Sequence, residues 1–75
     1  MAMDYRLNER DEMVLRARFG IGEPTATLKA LGERMEISGP RVAQIERRAL
    51  KKLRWNYPHR NPTDLAGMLA EHFNV

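Results

Sequence analysis

The side chains best suited to binding a ligand are concentrated in one basic segment. Six cationic residues lie between Arg41 and Arg54, with Arg34 shortly before them and a single acid, Glu46, among them. Successive residues of a helix are about 100° apart, so a helix over this segment places five polar or cationic side chains on the same side. They are Arg41, Gln44, Arg47, Arg48 and Lys51. Guanidinium and ammonium groups bind phosphate, and Arg or Gln can form paired hydrogen bonds with a base edge. The face suits nucleic acid, although a charged face is often only a solvated surface.

The residues that precede this helix favour nucleic-acid binding over a merely solvated face. Thr27 can cap a short preceding helix, whose apolar side carries residues at three- and four-residue spacing: Leu28, Leu31 and Met35. Gly32 in that helix costs about 1 kcal/mol relative to Ala, which indicates the close approach of a crossing helix. We therefore predict a helix-turn-helix over about residues 27–55, with its second helix in the major groove of DNA.

The second helix of this motif has a clear beginning. Ser38 is placed to cap it, and Pro40 falls in the first turn, where its missing N–H has no helical partner. The apolar side consists of Val42, Ile45, Ala49 and Leu53. Base reading at this end falls to Arg41, which can pair with guanine, and Gln44, which can pair with adenine. Ser38 and Gly39 offer only a hydroxyl and close backbone approach.

Two further helices flank the motif. Asn8 and Asp11 form a capping-box pattern for a first helix that runs to about Phe19, where Gly20 supplies a left-handed stop. The first helix carries Leu7, Val14 and Leu15 on its apolar stripe. Asn61 and the residues after it predict a short last helix over about 62–73. The apolar side of the last helix consists of Leu65, Met68, Leu69 and Phe73. That side either closes the three-helix core, which we favour, or docks on a partner.

The resulting prediction is an all-α fold in which residues 1–75 form one small domain. A chain of 75 residues has little room for a large enclosed active site. It has no cysteine, and His59 and His72 lack further ligand spacing, so we expect surface histidines and no metal site. Glu46, beside the apolar stripe, is predicted to pair with an arginine of the first or second helix. We expect no enzyme and no cofactor.

Charge and hydropathy limit the kinds of partner that the chain can bind. The net charge of +3 and a pI near 9.8 suit an anionic partner without identifying one. No apolar run approaches the roughly 18 residues that span a membrane, and the N-terminus lacks the apolar core of a signal peptide. A soluble protein is expected. There is no obvious dimer seam, so we expect a monomer.

Two segments together resemble region 4 of the sigma-70 class of bacterial RNA polymerase sigma factors. They are VLRARFGI, within LNERDEMVLRARFGI, and RVAQIERRALKKLR, which follows TLKALGERMEIS. A generic helix-turn-helix would not share both segments. The resemblance covers almost the whole chain and implies a cytoplasmic protein of a bacterium or of a phage in its host.

The resemblance also implies partners and residue roles. The third helix of that domain reads the minus-thirty-five promoter element, and an apolar surface receives the flap-tip helix of the polymerase beta subunit. By position, Arg10 and Arg18 would contact phosphate, and Arg41 and Gln44 would contact bases or backbone. Arg48 and Lys51 match positions that meet upstream activators in the family. The flap-tip surface would involve Leu15, Phe19, Leu65, Met68 and Leu69.

Some positions depart from the family pattern. Members that read the usual element commonly have Arg-Glu where this chain has Gly39 and Pro40, and a third basic residue where it has Ala43. Glu36 stands in the turn, at a cost of about 1 kcal/mol if it adopts a left-handed conformation. Two functions follow: a promoter-reading sigma domain, or a free-standing, phage-encoded regulator that binds polymerase and reads little or no DNA sequence. A dimeric helix-turn-helix repressor is a third, less favoured, class.

Overall fold

The computed structural model describes residues 5–75, which form four α-helices and contain no strand. The helices are α1 (Glu9–Phe19), α2 (Leu28–Met35), α3 (Gly39–Asn56) and α4 (Leu65–Phe73). The predicted all-α class is confirmed, and α2 and α3 form the helix-turn-helix. Within the same residues, no helix is both long enough and apolar enough to cross a membrane.

The first three helices begin at the predicted caps. Asn8 accepts a hydrogen bond from the backbone N–H of Asp11 at 2.8 Å, and the Asp11 carboxylate accepts one from the N–H of Asn8 at 3.2 Å. Thr27 caps α2 through the N–H of Ala30 at 3.0 Å, and Ser38 caps α3 through the N–H three residues later at 3.2 Å. Each bond satisfies an N–H that has no partner within its helix.

The start of α4 differs from the prediction. The helix begins at Leu65 rather than near residue 62, and its cap is Asp64, which accepts from the N–H of Gly67 at 3.1 Å. Asn61 instead forms a separate turn, in which its side-chain oxygen accepts from the N–H of Thr63 at 2.9 Å. Both residues can cap a helix, and the local side-chain bond at Asn61 forms a turn instead.

The turn between α2 and α3 depends on two unusual residues. A Cβ placed on Gly32 would lie 2.7 Å from the carbonyl oxygen of Ile37 and 3.2 Å from the backbone nitrogen of Gly39. The predicted close approach at Gly32 is present, but its closest partner is the backbone of the turn, and only then the first residue of the crossing helix α3. Glu36 ends α2 with φ of 60°, the left-handed conformation that costs a non-glycine residue about 1–2 kcal/mol.

The core has two adjoining parts. The first holds the helix-turn-helix on α1 and consists of Val14, Ala17, Leu31, Val42 and Ile45. The second joins α4 to α1 and to the C-terminal half of α3 and consists of Leu15, Ala49, Leu53, Met68 and Leu69. The apolar side of α4 thus closes the core, as favoured from the sequence, and α3 is long enough to take part in both clusters.

Two ion pairs at the edge of the core connect α1 to α3. Arg18 donates to Glu46 at 2.9 Å and also to the carbonyl oxygen of Ala26 at 2.9 Å. Asp11, only 3% exposed, accepts from the ammonium of Lys52 at 2.7 Å. The predicted pairing of Glu46 with an arginine of the first or second helix is confirmed.

Candidate nucleic-acid interface and apolar groove

The outward side of α3 carries polar and cationic side chains along its whole length. Val42, Ile45, Ala49 and Leu53 are all buried, which fixes the opposite side toward solvent. Gln44, Arg47, Arg48 and Lys51 are exposed there, and Arg41 is partly exposed at the edge. The described part of the chain offers no acidic side chain in ion-pair contact with Arg47, Arg48 or Lys51. These three cations are therefore available to neutralise phosphates.

The N-terminal end of this face is built differently. Gly39 and Pro40 open the helix, so this end has neither a side chain at the first position nor an N–H at the second. The Arg41 guanidinium donates to the side-chain oxygen of Gln44. The hydroxyl of Ser38 is engaged as the cap. The two predicted base readers therefore lie together, as their three-residue spacing allows, and the structure shows that they bond to each other.

The two arginines of α1 assigned to phosphate differ in their surroundings. Arg10 is exposed near the start of α1. Arg18 is bonded to Glu46 and to a backbone carbonyl, and its side chain is 27% exposed. A phosphate contact from Arg18 would have to compete with these bonds. In the structure, Arg18 therefore connects α1 to α3 and to the loop before α2.

Trp55 extends the outward face of α3 at its C-terminal end. The residue is 63% exposed, and its indole stacks on the ring of Tyr5 with 4.5 Å between centroids. At about 100° per residue it falls on the same stripe as Gln44, Arg48 and Lys51. Sequence reasoning missed this aromatic residue, although the four- and three-residue spacing from Gln44 would have revealed it.

A second surface lies where α4 meets the end of α1. It is an open groove of about 420 Å³ whose lining is almost entirely apolar: Phe19, Ile21, Leu65, Ala66, Leu69, Ala70 and Val75. Phe19 and Val75 are 37% and 79% exposed. Exposed apolar surface of this kind is typical of a site that binds another protein.

The predicted protein-binding set needs correction at two positions. Leu15 and Met68 are 0% exposed, because they fill the core between α1, α3 and α4. They can support the groove from beneath, but they cannot contact a partner directly. Phe19, Leu65 and Leu69 do line it. Sequence reasoning missed Ile21 after the α1 stop and Ala66 and Ala70, which follow Leu65 and Leu69 along α4.

The expectation of two surface histidines is correct for His59 but wrong for His72. The His59 side chain is 59% exposed and that of His72 is 19% exposed. One ring nitrogen of His72 lies 2.9 Å from the Tyr57 hydroxyl, and the other lies 3.1 Å from a Glu12 carboxylate oxygen. His72 thus ties α4 to α1 and to the residue after α3.

The surroundings of Tyr57 and Glu71 shift the pKa values of both groups. Burial, and then the nearby carboxylates of Glu71 and Glu12, raise the pKa of the Tyr57 hydroxyl above its usual 10.0. Hydrogen bonds from Arg60 and then His59 lower the pKa of Glu71 below 4.5. Both groups keep their ordinary charge near neutral pH. They attach α4 to its neighbours, and their charges do not indicate acid–base catalysis.

The elements, the steep turn and the cationic face together define a helix-turn-helix domain of the kind that enters a DNA groove. Residues 5–54 match the family model described as sigma-70, region 4. The chain belongs to the sigma-70 region 4 family. No solved structure gives a significant match.

Several sigma factors are similar to part of the chain. RNA polymerase sigma factor RpoD of Helicobacter pylori is 45% identical over 51 residues, 65% of this chain and 8% of that protein. SigA4 of Synechococcus elongatus is 45% identical over 49 residues, and SigA of a Bacillus species is 47% identical over 49 residues. Each match covers 64% of this chain, but only 16% and 13% of those relatives. The chain therefore corresponds to a small part of each.

Proposed function

We propose that this domain binds promoter DNA through α3 and binds RNA polymerase through the apolar groove between α4 and the end of α1. The observation that carries the proposal is the separation of two surfaces on one small core. Exposed cations of α3 face away from the core on one element, and the apolar groove is lined by α4 and the α1 end.

Phosphate binding is the first part of the proposal. Arg47 and Arg48 are exposed on one turn of α3 and Lys51 on the next, so they can meet phosphates on either side of a groove that admits a helix. Each phosphate neutralised adds about −0.9 to the slope of log affinity against log salt. Family membership and the sigma factor relatives support DNA as the polyanion.

Polymerase binding is the second part. The groove is apolar and open, so it can take the apolar side of a short helix from a partner. In the resemblance described above, that helix is the flap tip of the beta subunit. Phe19, Leu65 and Leu69 would supply the main apolar contacts, while Ile21 and the alanines of α4 leave room for the partner's side chains.

Fluorescence anisotropy tests the DNA half of the proposal. The chain is titrated at one fixed salt concentration against a duplex carrying the minus-thirty-five consensus and against a scrambled duplex. A preference of at least tenfold, about 1.4 kcal/mol, is expected for a promoter reader. Arg48→Ala should reduce the salt slope by about 1 on both duplexes. Absence of binding to either duplex would contradict the DNA half.

A pair of matched variants tests the polymerase half. Ala66→Asp places a carboxylate in the groove at an exposed position in the first turn of α4, where an acid favours the helix. Ala30→Asp makes the same change in the first turn of α2, away from the groove. Binding to bacterial core polymerase and to a flap-tip peptide should fall at least tenfold only for Ala66→Asp. Equal binding by both variants would contradict the groove assignment.

A second candidate is a regulator that binds polymerase at the same groove and reads little DNA sequence. Gly39 and Pro40 favour it, because they place no polar side chain at the leading end of α3. It predicts equal, salt-dependent binding to the consensus and scrambled duplexes, together with polymerase binding that Ala66→Asp abolishes. The two experiments above therefore separate the candidates.

A further inference from the structure

The leading end of α3 carries two polar side chains that are bonded to each other. The Arg41 guanidinium donates to the side-chain oxygen of Gln44, three residues along the helix. Residues three apart are neighbours on a helix surface, so this bond needs no distortion of the backbone. The backbone of Arg41 is held in turn, because its N–H donates to the Ser38 hydroxyl at 3.2 Å.

The residues around this pair cannot share the task of reading bases by hydrogen bonds. Gly39 has no side chain, and Pro40 has neither a polar side chain nor an N–H. Ala43 presents a partly buried methyl group. The Ser38 oxygen already accepts from the Arg41 N–H, which leaves Ser38 a single O–H donor. Paired hydrogen bonding to a base at this end of the helix therefore rests on Arg41 and Gln44.

Bonding between the two side chains changes what each can recognise. Paired bonding of a glutamine to adenine requires its oxygen to accept from the adenine amino group while its nitrogen donates to N7. In this structure that oxygen already accepts from a cation, which also repels the partial positive charge of an amino group. The guanidinium contributes further N–H donors and no acceptor. The Gln44 oxygen keeps one lone pair, but it lies beside the cation, so the pair as a whole presents mainly N–H donors and one positive charge.

Guanine is the base that matches such an edge. Its N7 and O6 are both acceptors in the major groove, whereas adenine, cytosine and thymine each present at most one acceptor there. We propose that Arg41 and Gln44 act as one coupled unit that selects guanine, with Gln44 as the positioning residue for the Arg41 guanidinium. The proposal rests on the proposed DNA binding and replaces two independent readers, one for guanine and one for adenine.

The test begins with the wild-type chain and chemically altered bases, so no variant needs to fold. Duplexes that the full chain prefers are selected from a randomised library, and each guanine of the selected sequence is then replaced singly. 7-Deazaguanine removes the N7 acceptor, and inosine keeps N7 and O6 while removing only the minor-groove amino group. We expect 7-deazaguanine at one position to weaken binding at least tenfold and inosine there to change it less than twofold.

A double-mutant cycle then tests the coupling. Arg41→Ala, Gln44→Ala and the double variant are compared on duplexes with guanine or adenine at that position, with circular dichroism confirming the helix content of each. In a coupled unit, either single change removes most of the guanine preference and the double change removes little more. A guanine preference that survives Gln44→Ala unchanged would overturn the proposal.

The remaining outcomes separate this inference from the proposed function. Salt-dependent binding that is equal on all duplexes overturns the reading unit and leaves the DNA-binding face intact. A selected adenine whose recognition depends on Gln44 alone also overturns it, in favour of independent readers. If the wild-type chain binds no duplex at all, the proposed DNA binding fails and the reading unit fails with it.

Discussion

Replacement of Gly32 by alanine should destabilise the domain although alanine is the better helix former. The added Cβ would lie 2.7 Å from the carbonyl oxygen of Ile37, about 0.7 Å inside ordinary van der Waals contact. Neighbouring backbone atoms of Ser38 and Gly39 lie 3.2 Å away, so no flexible side chain can move to relieve the overlap. Overpacking against a backbone costs about 3 kcal/mol, and the helix preference of alanine returns about 1 kcal/mol.

The expected net loss is therefore about 2 kcal/mol, a large part of the few kcal/mol that hold so small a domain together. Urea unfolding followed by circular dichroism should show a lower midpoint with an unchanged slope. Gly39→Ala is the matched control, because a Cβ there meets nothing closer than 3.7 Å. If Gly32→Ala were as stable as Gly39→Ala or more so, the reasoning about the turn would be refuted.

Three further predictions concern single side chains. Glu36→Gly should raise the unfolding free energy by about 1 kcal/mol, since φ of 60° suits glycine; a lower urea midpoint would contradict this. Arg18→Ala should lower that free energy by about 2 kcal/mol by leaving Glu46 without its partner, yet change the salt slope of DNA binding less than Arg48→Ala. A slope change equal to that of Arg48→Ala would instead make Arg18 a phosphate ligand. The folded-state pKa of Glu71 is lowered by Arg60 and then His59, so its stabilisation is present above pH 4.5 and is lost as the pH falls through the folded-state pKa. Glu71→Gln should flatten the acid side of a stability profile measured by urea unfolding, and an unchanged profile would argue against the bond.

The opposed effects expected at Gly32 and Glu36 follow from one turn. Gly32 allows the backbone after α2 to fold tightly against that helix, and Glu36 supplies the left-handed residue that reverses the chain. Gly32 is the residue that its position requires, whereas Glu36 is a strained residue at a position where glycine would adopt the same backbone conformation without strain. The turn fixes the direction of α3 and thus the presentation of its cationic face.

Local sequence was sufficient for most of the helices. Side-chain caps act over three residues, so Asn8, Thr27 and Ser38 could be assigned without knowledge of the fold. The apolar spacing of α3 likewise identified its buried side and, by difference, its cationic face. The start of α4 was misplaced because Asn61 and Asp64 are both capable caps within one short segment, and their signals differ little.

Only the tertiary structure decided which apolar side chains are covered. Leu15 and Leu69 both belong to apolar stripes, but Leu15 is enclosed by α3 and α4, whereas Leu69 also borders the groove. A stripe on one helix cannot show how deeply a second helix will cover it. The same limit applies to polar partners far apart in sequence: Glu46 was expected to bond an arginine, and only packing selected Arg18, 28 residues away. Caps and periodicity are local properties, so the sequence determined the elements, the helix-turn-helix and the basic face. Burial and long-range pairing depend on distances between elements, so the groove and the partners of Arg18 and His72 were decided only by tertiary packing.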